Sequence, residues 1–148
     1  MPYLSAFIDI VSDTLLIENI PIKTFAQRID VSAPVVGQWI RQEIFPTAAS
    51  AVKVADYLDC SLDYLFGRSS QREFIRAASP VSFKARLKNI LCAQSASRYK
   101  IARACGIEPS LMSKWLLNGC MPKIESLLKL ADYFNCSLDY LVGRSDAK

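Results

Sequence analysis

Apolar positions toward the end of the chain fall at helical intervals. Ile124, Leu127, Ala131 and Phe134 keep the i, i+3, i+7 rhythm that lines one side of a helix, and Pro122, a favoured first-turn residue, predicts its start. Ser137 predicts the cap of a short last helix carrying Leu138 and Leu141, with Gly143 ending it. Upstream, Ser82 predicts a helix to about Gln94 with Leu87, Ile90 and Leu91 inward. Ser97 opens a second helix that ends at Gly106, and Pro109 opens a third that runs to about Asn118. No alternating strand pattern competes, so the fold class is all-α.

The same pattern is written twice. Residues Ala55 to Ser69 recur 76 positions later as Ala131 to Ser145, identical at 12 of 15 places, and the register holds upstream: Phe7 falls on Phe83, Ala26 on Ala102, Trp39 on Trp115 and Pro46 on Pro122. A period this long exceeds the roughly 20 to 50 residues of solenoid repeats, so each copy is expected to be a small five-helix domain. The expected domains are 1–70 and 82–148, joined by a linker at 71–81. Gln71 to Ala78 reads as a helical spacer, and Ser79-Pro80 as the boundary, because a residue before proline resists the α conformation.

Composition narrows the chemistry. No apolar run approaches the roughly 18 to 20 residues that cross a bilayer, and no secretory pattern opens the chain, so it reads as cytoplasmic and free of the membrane. There is no histidine, and the five cysteines make no C-x-x-C, which argues against a metal site; nothing points to a cofactor. Cys60 and Cys136 occupy equivalent places and read as small buried apolar side chains. The repeated carboxylates Asp63 and Asp139 are explained by a position at a helix N-terminus rather than by catalysis, and no enzyme is expected. Charge divides the copies: residues 1–69 carry a net −3 and residues 70–148 a net +7. The basic excess favours a polyanionic partner.

The middle of each copy is the decisive constellation. Ala102, Gly106, Met112 and Trp115 have the spacing of two crossing helices: a small contact residue, a left-handed turn four residues on, and two apolar residues burying the back of the second helix. Ala26, Asp30, Val36 and Trp39 stand at the same places in the first copy, and Asp is among the few non-glycine residues that tolerate the turn.

These residues, with the Ser-Leu-Asp-Tyr-Leu ending, resemble the Cro and lambda-repressor-like helix-turn-helix proteins. The resemblance implies two tandem domains of that kind, the first degenerate and acidic, and a sequence-specific regulator, a repressor, that binds double-stranded DNA. It places Pro109, Ser110, Ser113 and Lys114 toward the major groove and Arg98 at the start of the motif's first helix. Lys114 is suited to donate to guanine O6 or N7, and Ser110 to donate or accept. Arg98 and Lys123 suit phosphates. Leu116, Leu117 and Asn118 depart from the family's residues after the tryptophan, and Gly119 and Cys120 stand where it has a basic pair. The first copy has Ile22, Ala33, Pro34, Gly37, Gln38 and Thr47 at the equivalent places and is expected to hold a partner or a second chain, giving a homodimer. The alternative is a protein-only module that kept the fold without DNA.

Overall fold

The computed structural model describes residues 2–95 and 97–148, and these form ten helices with no strand among them. They are α1 Pro2–Glu18, α2 Ile22–Ile29, α3 Ala33–Arg41, α4 Ala48–Leu58 and α5 Leu62–Leu65, then α6 Phe83–Gln94, α7 Arg98–Cys105, α8 Pro109–Asn118, α9 Ile124–Phe134 and α10 Leu138–Leu141. Side-chain oxygens fix many of the starts. Thr47, Ser61, Ser82, Ser97 and Ser137 each accept a backbone N–H from the first turn of the helix they precede. Left-handed residues fix the ends. Positive φ occurs at Asn19, Asp30, Glu43, Asp59 and Gly67, and again at Ser95, Gly106, Gly119, Asn135 and Gly143, each 76 positions further on. The residues differ between the copies at every one of these places but Gly67 and Gly143, yet the backbone turns at the same intervals.

The chain divides into two units, Met1–Phe74 and Ile75–Lys148, with five helices in each. In the first, Phe7 meets the edge of Trp39 and stacks on Phe66, both at 5.3 Å between ring centroids. In the second, Phe83 meets Trp115 edge-on at 5.9 Å, and Leu87, Ile101, Met112, Ile124, Leu127 and Leu130 fill the rest of the core. Each aromatic pair adds about 0.5–1.5 kcal/mol beyond the area it buries.

Three expectations change. Helix α9 starts at Ile124, with Lys123 as an extended cap residue, so Pro122 stands one residue before the cap, where its buried ring sets the chain's entry into the helix. Leu91 is only half-buried, whereas Leu87 and Ile90 point inward as expected. The segment 71–81 contains no helix. Its backbone is committed elsewhere: the Arg72 carbonyl accepts the Ser61 N–H at 2.8 Å, the Gln71 carbonyl accepts the Ser61 hydroxyl at 3.2 Å, and the Ala77 N–H donates to the Arg144 carbonyl at 2.8 Å. These bonds satisfy the segment's backbone groups without a helical ladder.

Asp63 and Asp139 sit in the first turns of α5 and α10, and each also pairs with the arginine five residues on, Arg68 and Arg144. Their backbone carbonyls accept the N–H groups of Arg68 and Ser69, and of Arg144 and Ser145. The repeated carboxylate therefore closes the last turn of each unit as well as meeting a helix N-terminus.

Candidate nucleic-acid interface

Helices α7 and α8 make the crossing pair of the second unit. Ala102 is fully buried at their contact. Gly106 turns the chain with φ 69° and ψ 30°, donating its N–H back to the end of α7, and the Ile107 N–H reaches the Ala102 carbonyl at 2.8 Å. At 3.6 residues per turn, Met112, Trp115 and Leu116 share the face of α8 that is buried, while Ser110, Lys114 and Leu117 share the opposite, exposed face. Pro109 is the exposed first residue of the helix. Ser113 lies at the flank, half-buried, with its hydroxyl donating to the Pro109 carbonyl at 3.3 Å. The Ser110 hydroxyl donates to the Glu108 carboxylate at 3.4 Å. Of these four candidates, Lys114 has the exposed donor with the longest reach.

The phosphate candidates stand at two helix N-termini, where backbone N–H groups also favour an anion. Arg98 is the first residue of α7, and its guanidinium lies 5.5 Å from the centre of the Tyr99 ring. Lys123 is the exposed cap residue of α9, although Glu125 in that helix's first turn weakens the field there. Lys100 and Arg103 are exposed along α7. Two other basic residues have structural roles. The Lys84 ammonium donates to the Leu117 carbonyl at 3.5 Å, at the end of α8. Arg86 is buried over the Tyr140 ring at 4.1 Å, and it donates to Asp146 at 3.0 Å and to the Ser145 carbonyl at 3.1 Å.

Sequence reasoning missed Tyr99, Glu108 and Leu111, all exposed on or beside this surface. Glu108 was legible as the acidic residue immediately before α8. Leu111 was masked because an apolar residue on a helix is read first as core.

The first unit builds the same crossing from different side chains. Asp30 takes the turn with φ 58° and ψ 50°, and Ala26, Val36 and Trp39 are buried. On its outer surface Ala33 and Ile22 are half-buried and Gly37 is buried, while Pro34 and Gln38 are exposed. The Thr47 hydroxyl is occupied by its helix and by Ser50. The crossing pair carries three exposed cations, Lys23, one residue after Ile22, Arg41, at the place of Leu117, and Arg28, which is paired with Glu18 at 2.9 Å.

Residues 17–65 match the helix-turn-helix family model, a stretch that contains α2 to α5 whole. No curated protein and no solved structure matches the chain. No helix among the described residues is long and apolar enough to cross a membrane.

Proposed function

We propose that this chain is a sequence-specific, DNA-binding transcription regulator, a cytoplasmic repressor whose second unit holds the major groove with α8. One observation carries the reading: Lys100, Arg103 and Lys114 stand exposed on the crossing pair α7 and α8, with Arg98 half-exposed at the start of α7 and Lys123 exposed at the cap of α9, in the half of the chain with the basic excess. Lys114 reads a base edge, and Arg98 and Lys123 hold phosphates without carrying sequence information. A single head of this kind buries only about 600 to 1,000 Å² on DNA, so specific binding calls for two heads about one helical turn apart. A homodimer supplies them, joined through the acidic first units or through the apolar residues Phe74 and Ile75.

The test is a selected-sequence profile of the full chain. Lys114→Ala is expected to cost about 1–3 kcal/mol on the preferred site and to flatten discrimination at one base pair. An unchanged profile would remove α8 as the reading head. No selection of any duplex would favour a protein-only module.

A second reading rests on the family match, which falls on the first unit, and on its exposed Lys23 and Arg41. There both units would lie on one duplex, and a monomer would protect one asymmetric site.

A further inference from the structure

Helix α8 already has a full buried face in Met112, Trp115 and Leu116. It nevertheless shows two more leucines to solvent, Leu111 at 38% and Leu117 at 68% exposure. Leu111 is the third residue of the helix and lies three before Lys114, a spacing that puts the two side chains next to each other on the surface. Leu117 lies six residues further on, about 9 Å along the axis at 1.5 Å per residue.

We infer that Leu111 reads a thymine through its 5-methyl group, beside the base that Lys114 contacts. This rests on the proposed role of α8 as the reading head. A leucine side chain neither donates nor accepts, so the polar base edges offer it nothing. The major groove displays one apolar group, the C5 methyl of thymine, and contact with it separates thymine from cytosine. The N-terminal residues of such a helix contact base edges. That favours Leu111 over Leu117, which lies at the opposite end next to the Gly119 turn. Ser110 and Ser113 donate to Glu108 and the Pro109 carbonyl, which leaves their hydroxyls as acceptors, and the first two turns add one ammonium donor and one exposed apolar side chain. The site class that follows is a guanine with a thymine close by.

The experiment uses the full chain and its own selected duplex. Each thymine is replaced singly by uracil, which removes only the methyl group, and the dissociation constant is measured for the parent chain, Leu111→Ala and Leu117→Ala. At one thymine the parent and Leu117→Ala are expected to weaken about fourfold, the worth of one buried methyl, while Leu111→Ala binds both duplexes equally. Alanine preserves the helix, and circular dichroism of each variant checks that. The inference is overturned if no uracil substitution weakens the parent, if Leu111→Ala keeps the methyl dependence, or if the dependence disappears in Leu117→Ala instead. Those outcomes leave α8 as a DNA-reading helix. Failure of the parent chain to bind any duplex overturns both that reading and this inference.

Discussion

The five thiols are sheltered to different degrees, and their chemistry should follow. Cys60 and Cys136 are buried, Cys105 is half-exposed, and Cys92 and Cys120 are exposed. Burial pushes the Cys105 thiol above its ordinary range, with Lys129 pulling the other way. Because the thiolate is the nucleophile, Cys105 reaches its reactive form only at higher pH than an unburied thiol does. Alkylation followed by mass spectrometry is expected to label Cys92 and Cys120 first, Cys105 later and with a rate that climbs at more alkaline pH, and Cys60 and Cys136 only on unfolding. Equal rates at Cys105 and Cys120 would contradict this. At this scale some roles were legible and others not. Asp30 was readable as a left-handed turn because its short side chain tolerates positive φ. Arg86 was not readable as buried, because its partner Asp146 lies 60 residues away and only the fold brings them together.

Helix boundaries were legible at Ser82, Ser97, Gly106 and Ser137, where a hydroxyl cap or a left-handed residue marks them. They were not at Lys123, where no side chain caps the helix, or in 71–81, where the backbone pairs outside its own segment. The turn glycines give a graded prediction. A Cβ at Gly106 would meet nothing within 4 Å, so Gly106→Ala carries only the left-handed strain, about 1–2 kcal/mol. A Cβ at Gly143 would lie 1.9 Å from the Val81 carbonyl oxygen, a backbone atom that cannot step aside cheaply. Gly143→Ala is therefore expected to cost at least about 3 kcal/mol, strain and overpacking together. Trp115 is the one tryptophan of the second unit, and denaturant titration of Trp39→Phe variants followed by its fluorescence measures both. Equal losses would show that the Val81 contact yields.

For the whole molecule, the charge division was visible in the sequence, but which cations are available was not. Of the second unit's basic residues, Arg86 and Arg144 are consumed by internal pairs and Lys84 lies on a helix end, while Arg98, Lys114 and Lys123 stay accessible. Sedimentation of the full chain is expected to show a dimer at micromolar concentration, and a monomer that protects one asymmetric site would favour two heads on one duplex. The most direct test of the central claim is the salt dependence of duplex binding by the full chain, measured for two paired variants. Arg98→Ala with Lys123→Ala is expected to reduce the slope of log K against log salt by about two, one for each lost phosphate contact, while Lys23→Ala with Arg41→Ala leaves it unchanged. A slope that falls with the Lys23 and Arg41 pair and holds with the Arg98 and Lys123 pair would place the DNA on the first unit and contradict the account.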